Sequence, residues 1–418
     1  MTEDYLQYCF REKIFGNAFT TSTGEPLSII DFGTHNINAG PDFLNCKIKY
    51  QDRIWAGHIE FHINASDWFK HKHQFDPNYE NVIAHLVFKH DKDVSSGNYL
   101  LPTVELANQI DEKHFEQYRK LFGSTNWIPC ETHLINTPVQ LSENMRLDLV
   151  LQRLERKSNE ILAQLKSKNG DRKKTFYQSL AKTLGGKVNG ASFEHLIQLL
   201  DFRWFAKVNY DPLKIDALIF GLAGFLEQDA NSEYQKRLKE EFLHLKHLFR
   251  LQPMSFTNWK YSRMRPNGYP DIRLAQLSAI FQMNIPISNV KMSKSTQSPL
   301  KNLTLNEFWK EHYHFNKETK VKSFQLSKGL IDSININTIA PYQFAMGKLL
   351  QQQKQKNEVV ESLGLIAPEK NSIIKKWKEL RINVNSSFDS QALIELKNEM
   401  CENKKCLFCD IGKTILKT

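Results

Sequence analysis

Gly40-Pro41-Asp42-Phe43-Leu44-Asn45-Cys46-Lys47-Ile48-Lys49-Tyr50, then Gln51-Asp52, then Arg53-Ile54-Trp55-Ala56-Gly57-His58-Ile59-Glu60-Phe61-His62-Ile63: this stretch decides the fold. Its two runs read as β-strands, and the polar break at Gln51-Asp52-Arg53 is short enough for a hairpin. In the second run His58, Glu60 and His62 fall on one face, and Ile59, Phe61 and Ile63 on the other. An apolar face of this kind packs on a helix and leaves a carboxylate flanked by two imidazoles opposite. Gly40 and Pro41 fix a sharp entry, so Asp42 stands at the mouth of the first strand. Paired as hairpin neighbours, the two strands bring Asp42 and Glu60 together at one end of a sheet.

Outward from this core, Thr2–Phe15 has a capping Thr2 and helically spaced Tyr5, Leu6, Cys9, Phe10 and Ile14. Leu27–Phe32, Val82–Lys89 and Leu101–Leu106 read as further strands, and Asp67–Lys72 as a short helical turn. From about residue 111 the pattern is helical, with windows at 142–168, 192–207, 213–228, 232–250, 271–283, 336–352 and 388–400. Lys260–Pro270 and Lys291–Thr304 are loops by composition. The expectation is an α+β N-terminal domain, residues 1–135, followed by an all-α region, residues 136–418, with Pro129 and Pro138 interrupting the pattern at the junction.

Charge divides along the same line. Residues 1–135 hold 12 Lys/Arg against 18 Asp/Glu, leaving 44 of the 56 basic and 28 of the 46 acidic residues for the remainder. Nine of the 14 histidines precede residue 136. An acidic, histidine-rich module joined to a basic one fits a reaction centre coupled to a phosphate-attracting body, although basic helices are as often plain solvated faces. No run of 18 apolar residues occurs, the N-terminus lacks a signal-peptide pattern, and six cysteines do not make a secreted disulfide scaffold, so a cytoplasmic protein with no membrane span is expected.

Two convergent carboxylates suit Mg²⁺ or Mn²⁺, hard ions that take oxygen ligands and keep positions open for water and phosphate. At this point the residues resemble the PD-(D/E)xK nuclease fold, in which Pro-Asp opens one hairpin strand and Asp/Glu-x-Lys lies on the next, after a helix and a first strand. Pro41-Asp42 and Glu60-Phe61-His62 occupy the corresponding places. The resemblance implies a restriction-endonuclease-like mixed sheet with flanking helices, with Asp42 and Glu60 as metal ligands. An acid of the first helix, Glu3 or Glu12, would be a further carboxylate. His62 stands where lysine is usual. A neutral imidazole can serve as a general base but not as a fixed positive charge.

The chain as a whole also resembles an uncharacterised bacterial family known only as a domain of unknown function. The matching segments are 40–43, Gly57–His62, Ser66-Asp67-Trp68 with His71, His73 and Asp76, the region from Trp127-Ile128-Pro129-Cys130, and the tail Cys401–Gly412. That likeness carries no activity with it.

His71 and His73 are a candidate metal pair or a grip on the scissile phosphate, Asp76 before Pro77 is a turn cap, and His85 reads as a hydrogen-bonded core residue. His58 and His90 are expected at the surface. A rival reading joins Glu60, His62, His71, His73 and His85 into a transition-metal site for Fe or Zn acting on a small molecule, as in cupin-like proteins. Against it, the region lacks the paired strands of a closed barrel. Cys401, Cys406 and Cys409, with Cys130 as fourth ligand, form a candidate Zn²⁺ or iron–sulfur set, against the alternative of reduced thiols packed at a helix end. Some nucleases of the resembled fold carry such a cluster, with one cysteine far from the other three.

In the basic region, Trp259 to Gly268 interleaves aromatics with Arg263 and Arg265 and continues to Arg273. These residues are candidates for nucleic-acid contact, or else a structural loop paired to acids such as Asp271. The expected activity is metal-dependent phosphodiester hydrolysis of DNA or RNA, with Asp42 and Glu60 on the metal and His62 and His73 handling water or phosphate. The alternatives are a non-catalytic nucleic-acid-binding protein and the His/Glu metalloenzyme.

Overall fold

The hairpin forms where the alternation places it. Gln51 and Asp52 both adopt positive φ (50° and 59°), as a two-residue turn that preserves strand twist requires. In the computed structural model the chain divides into two units, Met1–His133 with Lys404–Thr418, and Leu134–Asn403. It describes residues 1–417 except 37, 97–98, 138, 287–289 and 321–323, so Pro138 lies outside the described residues. The sequence reading sets its boundary at residue 135 and assigns 136–418 to one region; the units part after His133, and the residues from Lys404 onward count with the first.

The first unit runs α1 (Glu3–Arg11), β1 (Ala18–Thr20), β2 (Pro26–Asp31), β3 (Thr34–His35), β4 (Phe43–Tyr50), β5 (Arg53–Asn64), α2 (Asp67–Lys70), β6 (Val82–Lys89), β7 (Ser95–Ser96), β8 (Tyr99–Leu100), β9 (Thr103–Glu105) and α3 (Glu112–Gly123). The main sheet has the order β1-β2-β4-β5-β6-β9, with β3 on β4. β2, β4 and β5 form an antiparallel meander, whereas β6 joins β5, and β9 joins β6, in parallel. The sheet curls until Thr21 bridges Val104, and the Ser22 N–H donates to the Thr103 carbonyl at 2.7 Å.

Thr2 accepts the Tyr5 N–H and caps α1, whose first turn carries Glu3 and Asp4 in accord with the helix dipole. Phe10 of this helix packs on Phe43 and Phe61 with ring centroids 4.8 and 5.3 Å away, so the apolar face of β5 meets a helix as its pattern demands. The opposite face lies over Trp68 of α2, fully buried in a small core with Val82, Val87 and Leu101. Gly57 lets β6 approach: a Cβ there would stand 2.4 Å from the Asn81 carbonyl oxygen and 2.5 Å from Ile83 Cγ2. The tail helix, Asp410–Lys417, is tied back within this unit. Lys413 and Lys417 pair with Glu12 at 3.1 and 3.3 Å, and Arg11 donates to the Leu407 carbonyl at 2.8 Å.

The second unit is mainly helical around one large core that includes Phe193, Phe205, Phe220, Leu238 and Trp309. Its long helices include Glu143–Ser167, Arg172–Leu199, Glu233–Phe249 and Pro270–Gln282. Among the described residues it departs from all-α in a small hairpin, His312–His314 with Lys317–Glu318. Two π-helical turns, Asn335–Ile339 and Leu396–Cys401, interrupt the later helices. Among the described residues no helix is long and apolar enough to cross a membrane.

Candidate functional site

At the mouth of β4, Gly40 takes φ +103°, a conformation open to glycine, and Pro41 follows. A bulge then places one extra residue of β4 between the pairs Phe43↔Ile59 and Cys46↔Gly57, with Asn45 at φ 59°. The result is a reciprocal link between the two acids. The Asp42 N–H donates to Glu60 Oε2 at 3.0 Å, and the Phe61 N–H donates to Asp42 Oδ2 at 2.9 Å. Asp42 is half-buried and Glu60 only 5% exposed.

Burial raises the pKa of both carboxyls. Their closeness adds to it for Glu60, where the charge of Asp42 is the next cause. Glu3 adds further negative charge to both, and Gln7 hydrogen-bonds Asp42. Of the two candidate acids, Glu3 is therefore the one near the site, with Asp4 adding less to Asp42, while Glu12 follows the end of α1 and is spent on Lys413 and Lys417. Among the described residues neither Asp42 nor Glu60 forms an ion pair with a lysine or arginine.

Glu60 turns its other oxygen toward histidines. Oε1 lies 3.8 Å from His62 Nε2 and 3.5 Å from His73 Nε2. His62 is 1% exposed and engages both ring nitrogens: Nδ1 is 2.8 Å from His85 Nε2, and Nε2 is 3.1 Å from His71 Nδ1. The connection after β5 delivers His71 and His73, with Lys72 in the left-handed region at φ 63° turning the chain between them. His85 comes from the parallel strand β6, where it stands in register with Glu60. Burial, reinforced by neighbouring imidazoles, lowers the pKa of His62 to about 2, of His73 to about 4 and of His85 to about 3. His62 therefore stands neutral where the motif would have a cationic lysine.

Two residues to which the sequence reading gives no role at the site, Tyr79 and Trp68, pack around the histidines. Tyr79 stacks on His73 with ring centroids 3.8 Å apart, and burial and the charge of Glu60 push its hydroxyl pKa upward. Trp68 meets His73 edge-on at 5.3 Å and lies 5.5 Å from His85. A tyrosine two residues past a Pro-containing turn gives no periodic signal; a buried tryptophan between two histidine runs is the nearest thing to one. Asp76 is the expected turn cap, accepting the Asn78 N–H at 2.9 Å. His85, at 0% exposure, is the hydrogen-bonded core residue expected. His58 is half-buried, its Nδ1 accepting the Asn45 N–H at 3.2 Å, and His90 pairs with Asp93 at 3.2 Å.

Of the cysteines, Cys130, Cys406 and Cys409 lie buried in the first unit and Cys401 falls in the second. Burial raises the thiol pKa of Cys130, and negative charge on Cys409 and Cys406 adds to it, so these three are neighbours. Cys409 accepts the backbone N–H groups of Gly412 and Ile411. In the second unit Arg263 and Arg265 are exposed, while Arg273 is half-buried and donates to Gln276 at 2.8 Å. The interleaved aromatics are structural: Trp259 Nε1 donates to the Ala223 carbonyl at 2.8 Å, and the Tyr261 hydroxyl to Asp271 at 2.7 Å.

The model of a family described as "Protein of unknown function (DUF2851)" matches residues 3–372, and the chain belongs to that family. No curated protein and no solved structure matches the chain.

Proposed function

We propose that the first unit of this family member is a metal-dependent phosphodiesterase of nuclease type, with Asp42 and Glu60 as its ion-holding pair. The observation that carries the reading is the reciprocal link between those two acids. Asp42 stands at the mouth of β4 and Glu60 on the adjacent β5, each seated by an amide of the other's segment, with Glu3 adding negative charge and no lysine or arginine compensating among the described residues. A buried acid pair without a cation of its own fits a divalent ion. The order of elements is compatible with the same reading: a helix, three strands of which β2 pairs with the hairpin, a hairpin carrying Pro-Asp at its mouth and then Glu-x-His, and parallel strands beyond.

In this proposal Asp42, Glu60 and Glu3 hold Mg²⁺ or Mn²⁺. Bound there, the ion would lower the pKa of a water and neutralise charge on the phosphate. The Phe61 and Asp42 amides fix the orientation of the carboxylates. His62, neutral and engaged at both nitrogens, orients its neighbours and cannot replace a fixed positive charge. His73, whose Nε2 faces Glu60 without a hydrogen-bond partner, is the residue placed to take a proton from water. Nucleic acid is the proposed substrate class because the second unit is basic and exposes Arg263 and Arg265.

The test is cleavage of labelled single- and double-stranded DNA and RNA in Mg²⁺ or Mn²⁺. Asp42→Ala and Glu60→Ala should abolish it. Salt-sensitive binding without cleavage, unchanged in Asp42→Ala, would replace the enzyme reading with the non-catalytic one.

A further inference from the structure

We infer that Glu60, His62, His71 and His73 form a binding site for a divalent first-row transition ion such as Zn²⁺, Mn²⁺ or Fe²⁺, distinct from the acid pair. The inference stands on the imidazoles and goes beyond the phosphodiesterase reading, with which it shares Glu60, His62 and His73; here the two histidines bind an ion instead of serving water and its neighbours. One ligand atom from each histidine lies within 4.8 Å of the other two. Four donors on one ion with bonds of about 2.1 Å stand about 3.4 Å apart in a tetrahedron. The separations here are 3.1 Å between His62 Nε2 and His71 Nδ1, and 3.5 and 3.8 Å from Glu60 Oε1 to His73 and His62. These three separations are close to that spacing, with Glu60 near two of the three histidines.

The surroundings fit. A histidine ligand commonly has its other nitrogen held by a hydrogen bond, which sets the tautomer and aims the lone pair. His62 has this arrangement: Nδ1 meets His85 Nε2 at 2.8 Å, leaving Nε2 for the ion. His73 Nε2 is buried without a hydrogen-bond partner, although it faces Glu60, and an ion would satisfy it. Tyr79 and Trp68 clamp the His73 ring against rotation. His71 is exposed, so one side of the set opens to solvent and gives both an entry path and room for a further ligand. Three imidazole nitrogens select against Mg²⁺ and Ca²⁺, which take oxygen.

The experiment uses the full-length chain stripped with EDTA and titrated with Co²⁺, whose visible bands report the donor set, and with Zn²⁺ in competition. A single equivalent of Co²⁺ with nitrogen/oxygen-type bands is expected. His71→Ala and His73→Ala, checked as folded by circular dichroism, should each weaken it at least ~10-fold, and Asp42→Asn should leave it in place. The inference is overturned if those histidine variants bind Co²⁺ like the parent, or if the folded parent binds none. It is also overturned if the only bands are thiolate-type and vanish in Cys406→Ser, or if Asp42→Asn removes the ion. An Asp42→Asn variant that keeps Co²⁺ while the parent shows no Mg²⁺-dependent cleavage would sink the phosphodiesterase reading and leave this one standing.

Discussion

His62 Nδ1 and His85 Nε2 face each other across 2.8 Å in the interior of the first unit, joining the long hairpin strand to the parallel strand beside it. Both rings are almost fully buried, at 1% and 0% exposure. The bond leaves the second nitrogen of His62 directed at His71 and Glu60. A local hydrogen bond thus sets which way the candidate metal ligand points.

If that bond orients the ligand, His85→Phe should keep the sheet and lose the aim. The expected outcome is a Co²⁺ affinity lower by roughly 10–100-fold with little change in far-ultraviolet circular dichroism. An unchanged affinity would reduce His85 to a packing residue.

Asp42 and Glu60 repel each other when both are ionised, and burial opposes either charge. Asp42→Asn can still accept the Phe61 N–H, so it removes charge while the seat is kept. The metal-free variant should be more stable than the parent at pH 7, on the order of 1 kcal/mol, and should lose any thermal stabilisation by Mg²⁺. Differential scanning calorimetry with and without the ion reads both effects; a destabilised metal-free variant would mean that repulsion between the two acids does not strain the folded state.

Gly57 has no room for a side chain, since a Cβ would collide with backbone across the β5–β6 seam. Gly57→Ala should cost about 2 kcal/mol or more and separate His62 from His85. Urea denaturation and Co²⁺ titration should therefore decline together. A stable variant with weakened ion binding would show that the strands can part without unfolding, contrary to this expectation.

In the second unit, Asp216 is buried and accepts hydrogen bonds from Tyr234, Ser278 and Gln282, at 2.8, 2.6 and 3.1 Å. Burial raises its pKa to about 6 against an ordinary 3.8, the three hydrogen bonds opposing the shift. Because the folded pKa is the higher one, its stabilising contribution is complete below about pH 3.8 and is lost as pH rises through about 6. Relative to Asp216→Asn, the parent should lose on the order of 2–3 kcal/mol between pH 4 and 7. Parallel pH profiles of unfolding free energy for the two proteins would contradict this.

Much of the first unit is legible in the residues. β4 and β5 fall within a residue or so of the alternating runs, because strand geometry puts successive side chains on opposite faces, and β6 matches a continuous apolar run that is buried on both faces. The helix Arg172–Leu199 is harder to read. Gly186 leaves helical geometry (φ 59°, ψ −154°), so two helical segments meet at a kink there, and the sequence window at 192–207 catches only the end of the second. The later helices Gln353–Leu365 and Ser372–Glu379 are short, and their ends depend on tertiary contacts as much as on periodicity.

For the site, the residues alone determined that Asp42 stands at a strand mouth and that His58, Glu60 and His62 share a face, because strand geometry is local. Only the tertiary structure decided that Glu3 rather than Glu12 joins the acids, that His71 and His73 fold back onto His62, and that His85 holds the far side of its ring. Those meetings depend on parallel pairing of β6 with β5 and on a turn through a left-handed Lys72. Neither leaves a periodic mark, since a parallel partner is chosen by what packs across the sheet and not by the residues beside it in the chain.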